Sequence, residues 1–326
     1  MSARILGVGS YLPEKVLSNA DLEKLVETSD EWIVSRTGMK ERRIASQKEP
    51  PSFMGAEASK KALKEAGIAA EDIDLVIAVT MSPDYLCPST AALIQDAIGA
   101  RNAGGFDLLA ACSGYIYGLS TAKAFVESGI YKNVLMVATE KMSAFTDYED
   151  RSTCVLFGDG ASAAVISSEG KGLRIDTVDL GSDGSMGEAL IIPSGGSRSV
   201  ATQESVKERH HYIKMDGRVI FKQAVRKMGE AAQKCLESAG MTIEDVSWIV
   251  PHQANIRIID ALAKHFDLPR DRVCATVHKY GNTSASSVGI TLDELRQTQT
   301  FKENEKLLLL AVGGGLTWGA VLLTNE

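Results

Sequence analysis

The sequence predicts an α/β protein built from two similar halves. Two observations carry this. Strand-like apolar runs alternate with helical patterns along the chain, and one helix–glycine–strand unit occurs twice at a fixed spacing. Alternation of this kind is the mark of buried, largely parallel sheets covered by helices. The composition, 44% hydrophobic and 24% charged over 326 residues, gives such a chain enough apolar surface for a large core.

Taken in order, Met1–Gly9 reads as a buried first strand. Glu57–Ala66 is helical, stops at Gly67, and leads into the strand Leu75–Thr80. An apolar strand from Phe106 runs into Cys112, and a helical pattern follows it to Ser128. The next strand is Val134–Thr139. Pro193–Tyr212, rich in Ser, Gly and charge, reads as an exposed loop before a helix at Phe221–Gly240. The strand Trp248–Val250 precedes an amphipathic helix marked by Ile256, Ile259, Leu262, Ala263 and Phe266.

The repeat pairs Lys64–Ile77 with Glu237–Val250, in which Gly67 and Gly240, and Asp72 and Asp245, are both 173 residues apart (240 less 67, 245 less 72). A second echo sets Phe157-Gly-Asp-Gly160 against Val312-Gly-Gly-Gly315. Helix–glycine–strand junctions resemble one another in many proteins, but a shared Glu-Asp at constant spacing favours duplication. The halves divide near Gly170-Lys171-Gly172, giving residues 1–171 and 172–326.

Several classes are disfavoured. A net charge of −7 argues against nucleic-acid binding, which draws on a basic surface. The strongest apolar run, Leu307–Leu316, is short and broken by Gly313-Gly314-Gly315, so no membrane span is expected. The start of the chain lacks the pattern of a secretory leader. Five cysteines, odd in number and without CxxC spacing, predict neither a disulfide framework nor a zinc site. No HExxH pattern occurs, so no metal is expected, and a reducing cytoplasm fits best.

Chemistry concentrates at three strand-to-helix turns. Cys112 lies between Ala111 and Ser113 where a helix begins, and a helix N-terminus favours thiolate over thiol. The competing reading is an inert buried cysteine. Cys154, Cys235 and Cys274 sit in apolar, strand-like or helical surroundings and read as structural, and Cys87 lies in a loop. His252, in Pro251-His252-Gln253-Ala254-Asn255, and Asn282, in Tyr280-Gly281-Asn282-Thr283-Ser284, occupy the other two turns. Each also has a plain reading, as a helix-start residue or an N-cap. Together with Cys112 they mark one site, because polar groups collect at strand ends in α/β folds.

At this point the residues resemble a known family. Gly7-x-Gly9-Ser-Tyr-Leu-Pro13, Asp30-Glu-Trp32-Ile…Arg36-Thr-Gly38, Ala110-Ala-Cys112-Ser-Gly114 and Leu156-Phe-Gly-Asp-Gly-Ala161 occur in order. Pro251–Asn255, Tyr280–Ser286 and Gly313-Gly-Gly-Leu-Thr-Trp-Gly319 complete the set. This ordered series, spanning nearly the whole chain, is similar to β-ketoacyl-acyl-carrier-protein synthase III, the initiating condensing enzyme of type II fatty-acid synthesis in the thiolase-like superfamily.

The resemblance implies a five-layered αβαβα fold of two duplicated halves, a homodimer, and a decarboxylative Claisen condensation of acyl-CoA with malonyl-acyl-carrier protein. It makes Cys112 the acyl acceptor, and His252 and Asn282 the groups that stabilise the enolate. Backbone N–H groups of Cys112 and Gly314 would form the oxyanion hole. Trp32 and Arg36, four apart on a helix, suit an internal cation–π pair or stacking on adenine with contact to phosphate. The resemblance favours coenzyme A and adds Arg151, Gly217, Phe221 and Asn255 to its tunnel. Lys222, Arg257 and Lys264 fall where the family docks its acidic carrier protein. Cys87 stands where many members have Phe, at a position that closes the partner subunit's acyl pocket, so longer or branched primers are expected to fit. No permanently bound cofactor is implied, and acyl-CoA is a substrate.

Three other readings compete. A related Cys-His-Asn condensing enzyme of secondary metabolism would use CoA extenders in place of the carrier protein. A dinucleotide-dependent oxidoreductase fails because Leu12 replaces the third glycine after Gly7-Val-Gly9. A non-catalytic acyl-binding scaffold is disfavoured by the complete Cys-His-Asn set.

Overall fold

A computed structural model describes all residues, 1–326. Nine strands form the main sheet: β1 (Arg4–Tyr11), β2 (Leu75–Val79), β3 (Gly104–Leu108), β4 (Asn133–Lys141), β5 (Asp159–Ser167), β6 (Leu173–Ser182), β7 (Trp248–Pro251), β8 (Lys306–Gly313) and β9 (Thr317–Asn325). Seven longer helices accompany them: α1 (Asp30–Thr37), α2 (Pro51–Ala66), α3 (Thr90–Ile98), α4 (Gly114–Glu127), α5 (Gly217–Ser238), α6 (Ile256–His265) and α7 (Ser286–Thr298).

The strand order is β7-β8-β9-β6-β1-β5-β4-β2-β3. Around β1 and β6, which pair only through Arg4↔Arg174 and Ile5↔Leu173, the two sides mirror each other. On one side β2 is parallel to β3 and β4, β4 is antiparallel to β5, and β5 is antiparallel to β1. On the other, β7 is parallel to β8, β8 is antiparallel to β9, and β9 is antiparallel to β6. A lone parallel bridge, Ile249↔Val273, stands where β3 stands in the first set. The starts of β2 and β7 (Leu75, Trp248) and of β4 and β8 (Asn133, Lys306) keep the separation of 173 residues read from the repeat (248 less 75, 306 less 133).

Helices cover these strands in layers. α2 and α3 pack outside β1–β5, α5 packs outside β6, β8 and β9, and α4 and α7 lie between the two strand sets. Alternation along β8 shows why: Leu308, Leu310 and Val312 face the α5 side, while Leu307, Leu309 and Ala311 face the central helices. A strand covered on both faces has to be apolar at every covered position, as Leu307–Val312 is. The third apolar cluster lies under α2 and α3. The result is an αβαβα sandwich whose central helices begin where the chemistry-bearing turns lie.

Some local expectations are corrected. The segment after Pro193 is not wholly irregular, since Thr202 and Ser205 form a capping box that starts a short helix, Gln203–Lys207. α5 begins at Gly217 rather than Phe221, because Asp216 accepts from the N–H groups of Arg218 and Val219. Cys274, in a strand-like stretch of sequence, is in no strand.

Candidate active site

Cys112 sits in a 3-10 turn, Ala111–Ser113, immediately before α4. Ala111 holds φ +46, a left-handed conformation uncommon for a residue with a side chain. The turn is tied down on both sides. Ser113 Oγ donates to Ala110 O at 2.7 Å and bonds Thr317 Oγ1 at 2.7 Å, while Thr317 Oγ1 also reaches Gly314 O at 3.0 Å. Gly313 packs so closely beneath that a Cβ there would lie 2.7 Å from Cys112 N. Only glycine lets the β8–β9 turn approach the cysteine backbone this way.

The turn carrying Asn282 has the same construction. Asn282 bridges in parallel to Phe157, its N–H donating to Leu156 O at 2.9 Å and its O accepting from Gly158 N–H at 3.1 Å. Ser284 holds φ +51 at the start of α7, 173 residues after Ala111 (284 less 111). Both strained residues therefore occupy equivalent places at the N-termini of the paired central helices. The Asn282 side chain accepts from Ser284 N–H at 2.9 Å through Oδ1, which leaves Nδ2 as a free donor.

His252 follows β7 directly, and its N–H donates to Leu310 O at 2.7 Å. Its Nδ1 lies 2.7 Å from Ser287 Oγ, which accepts from Gln253 N–H at 3.4 Å and so has its own proton free for the ring. That assignment puts the imidazole proton on Nε2. Gln253 fixes the loop further, its Oε1 accepting from Thr276 N–H and Val277 N–H at 2.8 and 3.1 Å.

Cys112, His252 and Asn282 line a single narrow cavity of about 120 Å³ together with Gly217, Phe221 and Asn255, walled by apolar side chains such as Leu156, Phe157, Ile220 and Val312. Burial pushes the His252 pKa down to about 3, so the imidazole is neutral. Burial also pushes the Cys112 thiol up to about 12, and the nearby Glu140 carboxylate adds to the rise; a hydrogen-bonding interaction with Ser284 pulls it back. Desolvation is the largest of these effects, and it opposes the pull of the helix N-terminus toward thiolate.

Gly314 lies beside the cavity lining, against Leu190, and its N–H donates to no protein acceptor. Outside the cavity, Arg36 and Arg151 lie over the Trp32 ring, their guanidinium carbons 5.8 and 4.8 Å from its centroid. Asn255 connects this cluster to the cavity wall, donating from Nδ2 to Arg36 O at 3.2 Å while capping α6 through Arg257 N–H. Lys222 on α5 and Arg257 and Lys264 on α6 are solvent-exposed. Cys87 is exposed as well and does not reach the cavity of its own chain. No group of three or more His, Cys, Asp or Glu side chains is arranged to hold a metal ion.

Four supporting residues escape a sequence reading. Ser284 and Ser287 lie within the small-residue turn that marks Asn282, yet nothing distinguishes them from its other serines. Glu140 and Arg42 are charged residues that the structure buries completely. Arg42 donates from Nε to Val155 O at 3.0 Å, holding the segment that leads to Leu156 and Phe157.

Residues 106–184 match the family model for 3-oxoacyl-[acyl-carrier-protein] synthase III, and residues 236–325 match its C-terminal counterpart. A β-ketoacyl-[acyl-carrier-protein] synthase III of Chlamydia muridarum is 56% identical over 324 residues, 99% of either chain. The crystal structure of 3-oxoacyl-[acyl-carrier-protein] synthase III from Aquifex aeolicus superposes with TM-score 0.90 at 46% identity, covering 99% of both chains. The priming β-ketosynthase of the R1128 polyketide pathway is 38% identical, with TM-score 0.91 over 100% of this chain and 97% of that one. With this site on this scaffold, the chain belongs to the β-ketoacyl-[acyl-carrier-protein] synthase III family, thiolase-like acyltransferases that carry out the initiating condensation of fatty-acid synthesis.

Proposed function

We propose that the cavity performs two half-reactions on one cysteine: acyl transfer from acyl-CoA to Cys112, then condensation with malonyl-acyl-carrier protein. The observation that carries this reading is directional. Cys112, His252 and Asn282 line one apolar cavity, and the bonds to Ser287 and Ser284 leave His252 Nε2–H and Asn282 Nδ2 as uncommitted donors.

In the first step the Cys112 sulfur attacks the thioester carbonyl, and the oxyanion is met by the N–H groups of Cys112 and Gly314. In the second, malonyl thioester loses CO₂ and negative charge builds on its carbonyl oxygen. Two neutral donors in a dry site suit that charge: His252 is not an imidazolium, and its neutral ring donates from Nε2–H. The enolate carbon then attacks the acyl-Cys112 thioester, giving 3-oxoacyl-carrier protein and free cysteine.

Coenzyme A enters along Trp32, Arg36, Arg151, Gly217, Phe221 and Asn255. Two guanidinium groups on one indole offer a stacking face for adenine with cations for its phosphates. Gly217 meets only Met215 Cε, at 3.8 Å from a would-be Cβ, so its bareness serves a ligand rather than internal packing. The acidic carrier protein docks on Lys222, Arg257 and Lys264. The enzyme uses no resident cofactor and works in the cytoplasm; no helix is long and apolar enough to cross a membrane.

A homodimer accounts for apolar residues left in water: Leu109, just past the edge strand β3, is 73% exposed, and Tyr85 and Leu86, in the loop after β2, are 62% and 90% exposed. In it, Cys87 closes the partner's acyl pocket, and its small side chain admits longer or branched primers. Residues 1–171 and 172–326 act as the two halves, one bringing the nucleophile and the other His252 and Asn282.

Reconstitution tests the reading. With acetyl-, isobutyryl- or octanoyl-CoA and malonyl-carrier protein, the enzyme yields the matching 3-oxoacyl-carrier protein. Turnover with malonyl-CoA in its place and none with the carrier protein would overturn it, and a sharp preference for acetyl-CoA would remove the proposed role of Cys87.

A further inference from the structure

Acylation and condensation both pass through a tetrahedral carbon bonded to Cys112 Sγ, and each time negative charge gathers on the carbonyl oxygen. Donors stabilise that oxygen only if they are already aimed at it, at about 2.7–3.1 Å, before the charge forms. The two N–H groups proposed above for this task lie on separate parts of the chain. Cys112 stands just before α4, and Gly314 lies in the turn between β8 and β9. Gly314 is also flanked by Gly313 and Gly315, so nothing in its own stretch of backbone holds it still. The site needs a part that fixes one donor relative to the other.

A single hydroxyl meets that need. Thr317, the first residue of β9, places Oγ1 3.0 Å from Gly314 O and 3.1 Å from Ala110 O, sharing its one proton between the two carbonyls. The same oxygen bonds Ser113 Oγ at 2.7 Å. Ala110 O in turn accepts from Ser113 N–H at 3.2 Å, closing the 3-10 turn that presents the Cys112 N–H. The contacts of Thr317 Oγ1 are the only hydrogen bonds that join the cysteine turn, 110–113, to the glycine turn, 313–317.

The rest of Thr317 suits the same place. Gly313 is its partner in the β8–β9 ladder, so Gly314 is held through its neighbour on one side and through its own carbonyl on the other. Thr317 Cγ2 lies 3.1 Å from where a Cβ on Gly315 would stand, so the methyl fills the inside of the turn. Beyond it, Leu316 N–H donates to Asp183 O at 2.9 Å and Leu316 O accepts from Asp183 N–H at 2.8 Å, which ties the far side of the turn to the end of β6. Serine lacks the methyl and valine lacks the hydroxyl; threonine supplies both.

We propose that Thr317 is a positioning residue, bracing the Gly314 turn against the Cys112 turn and so setting the spacing of the two N–H donors that receive the oxyanion. This rests on the acyl-transfer reading above. Thr317 does not line the cavity and acts through backbone that does, at Cys112 and Gly313. His252 and Asn282 stand apart from the brace. Their bonds run to Ser287, Leu310, Leu156, Gly158 and Ser284, and none reaches Thr317, Gly314 or Ala110.

That independence makes the role measurable. On enzyme already acetylated at Cys112, malonyl-carrier protein loses CO₂ and the enolate has two fates. It attacks the thioester, giving 3-oxobutanoyl-carrier protein and free Cys112, or it takes a proton from water and leaves as acetyl-carrier protein with Cys112 still acetylated. Only the first fate builds charge on the oxygen held by Cys112 N–H and Gly314 N–H.

Thr317→Val keeps the shape and the methyl and removes the hydroxyl. Single-turnover acylation by acetyl-CoA should slow by about 10-fold to 100-fold, short of the roughly 10²-fold to 10³-fold cost of losing a donor outright. The half-saturating acetyl-CoA concentration should stay within about twofold, because the coenzyme A contacts are untouched. CO₂ release from acetylated enzyme should stay within about threefold, while the ratio of acetyl- to 3-oxobutanoyl-carrier protein rises about as much as acylation slows. Thr317→Ser, with its hydroxyl restored, should recover most of the rate and the ratio.

A folded Thr317→Val with wild-type acylation and wild-type product ratio would overturn the brace. So would equal losses of acylation and CO₂ release at an unchanged ratio, the behaviour of a merely structural residue. Ser113→Ala removes the partner hydroxyl and should move both readouts the same way by a smaller factor. If Thr317→Val does not fold, unchanged readouts in Ser113→Ala overturn the brace in its place. Failure of the wild type itself to take up an acetyl group would instead sink the acyl-transfer reading.

Discussion

Orientation matters at the residue scale, because His252 and Asn282 are useful only if their free atoms are donors. Ser284 N–H claims Asn282 Oδ1, and the Ser287 hydroxyl claims His252 Nδ1. Ser287→Ala should therefore impair the half-reaction that uses His252 and spare the other. Decarboxylation of malonyl-carrier protein is expected to fall by about 10-fold to 100-fold as the ring loses its fixed tautomer, with acylation within about twofold of wild type. Equal losses in both assays would show a general disturbance. Cys112 was legible because its type, its small neighbours and the strand-to-helix turn all appear in the sequence. Its protonation state was not, since the burial and the Glu140 charge that raise its pKa arise only in the fold.

At the scale of elements, α1 and the start of α6 form the junction between the Trp32–Arg36–Arg151 cluster, proposed above to hold coenzyme A, and the cavity. Asn255 and Arg257 donate to Arg36 O and Ser35 O at 3.2 and 3.0 Å, and Gly38, at φ +78, ends α1 directly against Ile256. A Cβ on Gly38 would lie 2.5 Å from that of Ile256. Gly38→Ala should part the two helices and raise KM for acyl-CoA about 10-fold while kcat stays within about twofold, as steady-state kinetics would record. An unchanged KM would mean the junction does not shape the coenzyme A site.

The repeat and the strand-helix alternation were readable because periodicity is local. The Gln203–Lys207 helix was not, being a single turn fixed by a capping box inside a polar stretch. Arg42 was hidden too, since an Arg-Arg pair in sequence looks solvated until the fold buries one member.

For the whole molecule, duplication places Ala111 and Ser284 at matched positions, so that two central helices present strained N-terminal turns to one cavity. The core that surrounds them also makes stability depend on pH. His252 stays neutral down to about 3, whereas the unfolded chain protonates it below its ordinary 6.5. Its contribution is thus complete above pH 6.5 and is lost as pH falls toward 3. Glu140 has the opposite sign: its pKa rises from 4.5 to about 7, so its burial costs stability as pH rises through that interval. Thermal melts of wild type and His252→Gln isolate the histidine. The wild-type midpoint should fall more steeply than the variant's between pH 6.5 and 4, and parallel curves would contradict the buried neutral ring.

Docking of the carrier protein belongs to the same scale. Reversing charge at Lys222 and Lys264 together should raise KM for malonyl-carrier protein by about 10-fold or more at low salt and leave acylation by acyl-CoA untouched. Loss of acylation as well would show that these residues act at the coenzyme A site.

The central claim is that acyl units are joined through a thioester on Cys112, and intact mass after incubation with acetyl-CoA tests it most directly. The account predicts a gain of one acetyl group in the wild type, its discharge on adding malonyl-carrier protein, and no gain in Cys112→Ser. An acetyl group that persists in Cys112→Ser, or a wild type that takes up none from any acyl-CoA, would contradict it.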